Sequence, residues 1–400
     1  MKKFDPSTSI HDYLVFGEFG DVNPSITDSS TFTFLNPKTM EESFQHEIEG
    51  CFLYSRHWNP INKFLASALA RLEDTESAQV TASGMGAISS SILQLCSTGD
   101  EIISSRTIYG GTYAFFKNFL PKFGINVKFI DMHNHRQIEQ VITDKTKVIY
   151  GETISNPLLE VTNIPVISEI AKKHGLKFII DNTFSPMIIS PYRLGADIVI
   201  HSMTKFINGT SDCVAGCICS SNEFIESLTD VNSGATMLLG PVLDSLRAAS
   251  ILKNIHSLHI RMRKHGDNAL FLAKEFEKLG LKVYYPGLTS NKHHRLLTSI
   301  MNEGFGFGGM LAIDTGSYEN ATGLMTKMQE EKVGYLAVSL GYFKTLFSSP
   351  GHSTSSEIPE DEQKAMGLSE GLVRFSVGID NDINIAYDRI KKCLSELKII

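Results

Sequence analysis

The sequence lacks the features that mark secreted, membrane-spanning and nucleic-acid-binding proteins. Its six cysteines in 400 residues are too sparse for a disulfide framework. No apolar run approaches the roughly 18 residues that a membrane helix needs, and the N-terminal MKKFDPSTSI has no apolar stretch behind its lysines, so no signal peptide is expected there. A formal net charge of −7 offers no basic surface to nucleic acid. These absences predict a cytoplasmic protein that binds neither membrane nor nucleic acid.

The composition that is present suits a globular enzyme of more than one domain. Hydrophobic residues make up 42% of the chain and charged residues 20%, which is enough apolar material for a sizeable core. Residues 1–58 are rich in Ser, Thr, Asn and Pro, so we expect an arm that packs on a neighbouring subunit. We predict an α/β domain over residues 59–250 and a smaller α+β domain over residues 251–400.

Short apolar runs alternate with helical patterns between about residues 60 and 220. Residues 177–180 and 197–200 are apolar runs of the buried-strand type. Between 165 and 175, a proline and a glycine bracket a helix with one apolar face. This alternation predicts an α/β fold with a mostly parallel sheet flanked by helices. One long helical stretch is predicted around residues 242–278.

Polar residues follow several of these strands, where an open α/β sheet binds its ligands. An acid, hydroxyls, a lysine and a glycine turn before a helix are found there, namely Asp181, Ser202, Thr204, Lys205 and Ser83-Gly84-Met85. A helix N-terminus favours phosphate, a desolvated lysine supplies a neutral amine for Schiff-base chemistry, and a buried carboxylate can hold a pyridinium nitrogen. These are the requirements of pyridoxal phosphate, although spacing alone leaves the cofactor open.

Three other patterns are weaker. The stretch 304–309 matches G-x-G-x-x-G but precedes a strand, so the context for a dinucleotide, and hence for an NAD-dependent dehydrogenase, fails. Cys213, Cys217 and Cys219 lack a second ligand pair with zinc spacing, and we expect buried structural thiols. Four histidines lie in polar loops, namely His133, His135, His293 and His294. We expect them to be solvated, and no metal site is predicted.

The candidate site residues lie within motifs that resemble the pyridoxal-phosphate enzymes of cysteine and methionine metabolism. That family contains cystathionine synthases and lyases, homoserine-ester sulfhydrylases and methionine γ-lyases. The matching motifs run from the arm to the last strand: Tyr54-Ser-Arg56, Ser83-Gly-Met85, Tyr109-Gly-Gly-Thr112, Ser155-Asn-Pro157, Asp181-Asn-Thr183, His201-Ser-Met-Thr-Lys205, Ser339-Leu-Gly341 and Leu372-Val-Arg374-Phe-Ser-Val-Gly378. The resemblance implies fold type I of the pyridoxal-phosphate-dependent transferases.

The resemblance also implies roles for the matched residues. Lys205 would bind the cofactor covalently and move protons at the substrate, Asp181 would pair with the pyridine nitrogen, and Tyr109 would stack on the ring and protonate the leaving thiolate. Seven further residues would contact the cofactor, most of them at its phosphate: Ser83, Gly84, Met85, Asn156, Thr183, Ser202 and Thr204.

The remaining matched residues imply a shared active site and a carboxylate-bearing substrate. Tyr54 and Arg56 would reach the cofactor phosphate of a neighbouring subunit, and Tyr54 would also take part in catalysis and substrate binding. The protein would therefore be at least a dimer, and the family suggests a tetramer. Arg374 would clamp the substrate carboxylate in a bidentate geometry, with Ser339 beside it.

Within the family the sequence looks most like the plant-type methionine γ-lyases. That likeness rests on Gly17-Glu-Phe-Gly20, Met237-Leu-Leu-Gly-Pro241, Tyr285-Pro-Gly-Leu288 and Ser353-Thr-Ser-Ser-Glu357. Gly111 stands where the bacterial methionine γ-lyases carry a cysteine. The implied reaction is α,γ-elimination of L-methionine, a small sulfur amino acid, to methanethiol, 2-oxobutanoate and ammonia.

The alternative functions share the scaffold. An O-acetylhomoserine sulfhydrylase or a cystathionine γ-synthase or γ-lyase would use the same catalytic residues, so the motifs do not separate elimination from replacement. A cofactor-free binding protein is disfavoured because Lys205 and Asp181 are both present.

Overall fold

A seven-stranded sheet forms the centre of the larger part of the fold. The computed structural model describes residues 4–14, 17, 20–45, 48, 50–353 and 358–400. The strands of this sheet are β1 (Ser77–Thr81), β2 (Glu101–Ser105), β3 (Asn126–Ile130), β4 (Thr146–Glu152), β5 (Lys177–Asp181), β6 (Ile198–Ser202) and β7 (Gly216–Ser220). Their spatial order is β1-β7-β6-β5-β4-β2-β3. Only β7 runs antiparallel to its neighbours, so the predicted mostly parallel sheet is confirmed.

A smaller mixed sheet follows in the chain. Its strands are β8 (Lys282–Tyr284), β9 (Met310–Asp314), β10 (Gly334–Leu336), β11 (Thr345–Ser348) and β12 (Leu372–Ser376). Their order is β10-β11-β12-β9-β8, with a parallel pair at β10 and β11 and antiparallel pairs elsewhere. The α+β character predicted for the C-terminal part is therefore present.

Helices cover the sheets and connect their strands. In chain order they are α1 (Pro6–His11), α2 (Pro37–Ser43), α3 (Pro60–Glu73), α4 (Gly84–Leu95), α5 (Gly110–Ala114), α6 (His135–Val141), α7 (Ile164–Lys173), α8 (Asn222–Thr229), α9 (Ala235–Leu239), α10 (Ser245–Ile255), α11 (Leu258–Lys278), α12 (His294–Ile300), α13 (Tyr318–Glu330), α14 (Glu360–Ala365) and α15 (Ile383–Glu396). None of those in the described ranges combines the length and apolarity that crossing a membrane requires.

The long helical stretch predicted around residues 242–278 is present, and it is divided into α10 and α11 by a short break at residues 256–257. The Arg261 guanidinium donates to the Asn254 carbonyl at 3.0 Å and to the Ile207 carbonyl at 2.8 Å. The Asn254 carbonyl also accepts from the Ser257 amide at 3.2 Å and from the Ser257 hydroxyl at 3.0 Å, so several donors meet at the end of α10. An arginine one turn into the second helix thus stabilises the break. Residue 250 lies inside α10.

Two hydrophobic cores hold the fold together, and α11 contributes to both. Leu258 and Met262, near its start, pack with the core of the large sheet. Leu272 and Phe276, further along, pack with the core formed by α13, α15 and the small sheet. One apolar helix face therefore joins the two parts of the protein.

Several predicted local features can be compared directly. Cys217 and Cys219 are buried thiols in β7, and Cys213 is buried in the loop before it, as predicted. Residues 304–309 form a loop that leads into β9, which also agrees with the prediction. The motifs at 17–20 and 353–357 fall in part outside the described residues.

Candidate active site

A cavity of about 270 Å³ lies where β4, β5 and β6 end. It brings together most of the residues that the sequence singled out: Ser83, Gly84, Met85, Tyr109, Asn156, Asp181, Thr183, Ser202, Thr204, Lys205 and Arg374. The carboxyl ends of neighbouring parallel strands meet at one sheet edge, so side chains far apart in sequence converge there. Arg374 reaches the cavity from β12 of the smaller sheet.

The N-terminus of α4 forms one end of the cavity. Ser83 is its N-cap residue, and its hydroxyl accepts a hydrogen bond from the Gly86 amide at 2.9 Å. The amides of Gly84 and Met85 lie in the first turn, where backbone N–H groups have no helical partner and favour an anion. A Cβ on Gly84 would lie 2.9 Å from the Cβ of Ser202. Only glycine therefore fits where α4 meets the end of β6.

Lys205 follows β6 and points its amine into the cavity. Its Nζ donates to the Ser339 hydroxyl at 3.1 Å. Burial, together with the charge of Arg374, lowers the pKa of Lys205 to about 8. About one tenth of the amine is therefore neutral at pH 7, far more than for an ordinary lysine, and is available as a nucleophile or base.

Asp181 ends β5 and is held in place by the next turn. Its carboxylate accepts from the Thr183 amide at 2.9 Å, and the Thr183 hydroxyl in turn accepts from the Ser202 amide at 2.8 Å. Burial raises the pKa of Asp181, while the hydrogen bonds from Thr183 and the charge of His201 oppose that rise. A buried carboxylate of this kind is stabilised by a protonated nitrogen.

A buried ion pair lies behind Asp181. His201 Nε2 is 2.6 Å from a carboxylate oxygen of Glu73, which also accepts from the Asn182 amide group at 2.9 Å. Burial by itself lowers the pKa of His201, but the bond to Glu73 outweighs it and raises that pKa to about 8. A protonated His201 contributes positive charge beneath Asp181.

Glu152 is a site residue that the sequence reasoning missed. It ends β4, lines the cavity, and its two oxygens accept from the amides of Tyr109 at 2.7 Å and Asn156 at 2.8 Å. Burial and the charge of Asp181 raise the pKa of Glu152 to about 8. The signal that found Asp181, a carboxylate at the end of a buried strand, was also present for Glu152.

Arg374 is the charged group at the far side of the cavity. It is 2% exposed, and its guanidinium donates from Nη1 to the Asn156 side-chain oxygen at 2.9 Å and from Nη2 to the Ser348 hydroxyl at 3.3 Å. Burial lowers the pKa of Arg374 to about 10, so the group stays charged at neutral pH. Two oriented hydrogen bonds on a buried cation prepare it for a carboxylate ligand.

Tyr109 lies at the mouth of the cavity and is 43% exposed. A Cβ built on Gly111 would lie 2.6 Å from Cε1 of the Tyr109 ring. The ring therefore occupies the space that a side chain at position 111 would need. A residue larger than glycine there would require the ring to move.

Tyr54 and Arg56 do not occur among the described residues that line the cavity. The Arg56 guanidinium lies 5.9 Å from the centre of the Tyr54 ring and donates to the Met237 carbonyl at 3.2 Å. Tyr54 is 43% exposed. The chain thus holds this pair at the surface, away from its own site.

The cavity fits pyridoxal phosphate on grounds of its own chemistry. The α4 N-terminus and the hydroxyls of Ser202 and Thr204 suit a phosphate, the Lys205 amine suits an aldehyde, and Asp181 suits a pyridinium nitrogen. All of these groups line one cavity.

Comparisons with known proteins agree with this assignment. The family model described as Cys/Met metabolism PLP-dependent enzyme matches residues 10–394. A methionine gamma-lyase from Arabidopsis thaliana is 41% identical over 97% of this chain and 90% of its own. An L-methionine gamma-lyase from Porphyromonas gingivalis is 36% identical over 97% of this chain and 98% of its own.

Among solved structures, a candidate O-acetylhomoserine (thiol)-lyase from Campylobacter jejuni matches with a TM-score of 0.90 and 26% identity. The match covers 98% of this chain and 100% of that one, whose structure contains N'-pyridoxyl-lysine-5'-monophosphate. The predicted α/β fold and the predicted cofactor are thereby confirmed. The chain belongs to the Cys/Met metabolism family of pyridoxal-phosphate-dependent enzymes.

Proposed function

We propose that the protein is a methionine γ-lyase, which converts L-methionine to methanethiol, 2-oxobutanoate and ammonia by α,γ-elimination. The observation that carries the proposal is one cavity holding a depressed-pKa lysine, a buried aspartate and a buried arginine. Among the substrates of the family, methionine is favoured because the relatives from Arabidopsis thaliana and Porphyromonas gingivalis are named methionine gamma-lyases.

Pyridoxal phosphate, when bound, supplies an electron sink for the charge that develops at the substrate Cα. The amides of Gly84 and Met85, with Ser202 and Thr204, would bind its phosphate. Asp181 would hold its ring nitrogen in the protonated form, supported by the bonds from Thr183 and the charge of His201.

Lys205 would attach the cofactor and then act as the base that takes the protons from Cα and Cβ. Its pKa of about 8 places the free amine close to the operating pH, where a general base is most effective. Ser339, at 3.1 Å, would orient the amine between these tasks.

Arg374 would bind the substrate carboxylate. Asn156 and Ser348 engage one terminal nitrogen each, and a guanidinium carries five N–H donors, so donors are available for a bidentate pair. Tyr109, at the cavity mouth, would protonate the departing thiolate. Glu152 would position Tyr109 and Asn156 through their backbone amides.

Tyr54 and Arg56 would complete the site of a neighbouring subunit, where Tyr54 would contact the substrate. Their surface position and the exposed apolar side chains that follow Met237 in the chain support an interface there. Those side chains are Leu238, Leu239, Val242 and Leu246. The proposed assembly is at least a dimer with shared sites, and a tetramer in full, located in the cytoplasm. The proposed division is an arm over 1–58, a cofactor domain over 59–250 and a C-terminal domain over 251–400.

A product assay tests the reaction. The purified, cofactor-loaded protein receives L-methionine alone, and 2-oxobutanoate and methanethiol are quantified. Equal release of both supports the proposal, and Lys205→Ala should abolish it. If methionine gives neither product but O-acetylhomoserine with sulfide gives homocysteine, the protein is a replacement enzyme and the lyase proposal is wrong.

A subunit-mixing experiment tests the shared site. Lys205→Ala and Arg56→Ala chains are each expected to be inactive or nearly so as homo-oligomers. Co-expression should restore activity, because one interface then pairs an intact Lys205 with an intact partner arm. Co-expressed chains that stay as inactive as the separate variants would contradict the shared site while leaving the reaction itself untouched.

A further inference from the structure

Three metal-ligating side chains lie together outside the site described above. One ligand atom from each of His133, Glu160 and His293 lies within 4.8 Å of the other two. His133 Nε2 is 3.9 Å from a Glu160 oxygen, and the rings of His133 and His293 have centroids 4.8 Å apart. The three residues come from separate stretches: the loop after β3, the segment after β4 and the residue before α12.

The expectation that His293 is solvated is wrong. The residue is 8% exposed, and its Nε2 is buried with no hydrogen-bond partner among the described residues. A buried nitrogen left unpaired costs about 1–3 kcal/mol, so such a group calls for a ligand.

We infer that His133, Glu160 and His293 bind one divalent transition-metal ion of the zinc type. Two imidazoles and one carboxylate form a set that zinc accepts in tetrahedral geometry, with water in the fourth position. Bonds of about 2.1 Å place tetrahedral ligand atoms about 3.4 Å apart, so the widest separation, up to 4.8 Å, must shorten by up to about 1.4 Å. Rotation of His133, whose side chain is 31% exposed, can supply that movement.

The surroundings of Glu160 permit the metal. Its second oxygen accepts from Lys292 at 3.1 Å, but the Lys292 side chain is 72% exposed and can turn into solvent. The Thr107 hydroxyl is 3.5 Å from the oxygen nearest His133, which is a weak contact. To bind the ion, the Glu160 carboxylate would therefore give up at most its contact with the exposed Lys292 ammonium group.

A metal here would connect parts of the protein that are distant in sequence. Glu160 and Ser155 exchange hydrogen bonds: the Ser155 amide donates to the Glu160 carbonyl at 2.9 Å, and the Glu160 amide donates to the Ser155 hydroxyl at 3.1 Å. Ser155 precedes Asn156, which contacts Arg374. The ion would thus join the loop beside the substrate arginine to the beginning of α12. Binding to the folded form alone stabilises it, so zinc should raise the unfolding temperature.

Metal binding by the cofactor-loaded protein tests the inference. The protein is treated with EDTA, freed of chelator and titrated with zinc sulfate against a chromophoric zinc indicator, and retained metal is measured after gel filtration. Wild type should retain one equivalent of zinc more than His133→Gln does. The variant should bind that zinc ion at least about 10-fold more weakly, because even the loss of a residue that only hydrogen-bonds to a metal ligand typically costs that much affinity. Glu160→Gln should do the same.

Two controls separate this cluster from other histidines. His294, next in sequence, has its Nδ1 3.0 Å from the Pro286 carbonyl oxygen, so His294→Gln should bind zinc as wild type does. His11 and His259 lie with ring centroids 4.8 Å apart elsewhere on the surface, and His259→Gln reports on metal bound there. Because His133 is partly exposed, its substitution should leave cofactor loading intact, and that loading shows that the variant is folded. Equal zinc retention by wild type and folded His133→Gln would overturn the inference, as would zinc loss in His259→Gln alone.

Discussion

Replacing Glu152 by glutamine would separate the positioning role of this residue from its charge. Both oxygens of Glu152 accept backbone amides, from Tyr109 and from Asn156, at 2.7 and 2.8 Å. The pKa of Glu152 is about 8, so near neutral pH the side chain is mostly the uncharged acid, and removing its charge changes little. A carboxylic acid keeps a lone pair on each oxygen, whereas the amide NH₂ of glutamine accepts no hydrogen bond.

The Glu152→Gln variant must therefore leave one buried amide facing another donor. An unsatisfied buried donor costs about 1–3 kcal/mol, and the free energy of unfolding should fall by about that amount. The amide that loses its acceptor belongs to Tyr109 or to Asn156, and both residues line the cavity. If about 1.4 kcal/mol of the cost is felt in the transition state, kcat/KM for methionine falls about 10-fold.

Denaturant unfolding of the cofactor-loaded protein and steady-state kinetics measure the two effects. Glu139→Gln is the matched control, because Glu139 pairs with Lys173 at the surface and its loss should change neither quantity measurably. A Glu152→Gln protein that equals wild type in both unfolding free energy and kcat/KM would show that these two hydrogen bonds do not position the site.

Three further predictions use the pKa values and the tight packing of the site. The rate at which cofactor-free protein takes up pyridoxal phosphate, read from cofactor absorbance, should rise with pH with a midpoint near 8. Arg374→Met should move that midpoint to higher pH, because Arg374 helps to lower the pKa of Lys205. A midpoint that does not move would contradict this. Gly84→Ala should weaken cofactor binding by about 1–3 kcal/mol, measured by equilibrium dialysis, since the new Cβ would meet Ser202 at 2.9 Å. The pKa of His201 is about 8 in the folded protein and about 6.5 in the unfolded chain. Its protonated form therefore stabilises the fold fully below pH 6.5, and this contribution to the free energy of unfolding is lost as the pH rises through 8. Relative to His201→Asn, wild type should lose about 2 kcal/mol of unfolding free energy over that window, and parallel pH profiles of the two proteins would refute the assignment.

The sequence predicted the parts of the site that depend on single strands. Asp181 and Lys205 were identified because each follows a short apolar run, and parallel strands bring such ends together. The bond from Arg374 to Asn156 joins residues 218 positions apart and depends on how the smaller sheet faces the larger one. No local pattern carries that information.

The misjudged burial of His293 has an equally specific cause. His293 lies in a polar stretch, yet the side chain is buried and its ring packs against that of His133, which is distant in sequence. The break between α10 and α11 also involves distant contacts, because Arg261 binds carbonyls of two separate segments there. In both places, contacts made by the folded chain add to what nearby residues suggest.

The passage of α11 through both hydrophobic cores bears on how the enzyme loses activity. A helix that packs in two cores couples their unfolding, because the loss of either core exposes apolar surface on α11. The Lys205 amine and the Arg374 guanidinium are anchored to different sheets, so their spacing is only as stable as that link. Heating should therefore abolish cofactor binding and substrate binding in a single step. No partly folded species that retains pyridoxal phosphate but no longer binds the amino acid substrate should appear.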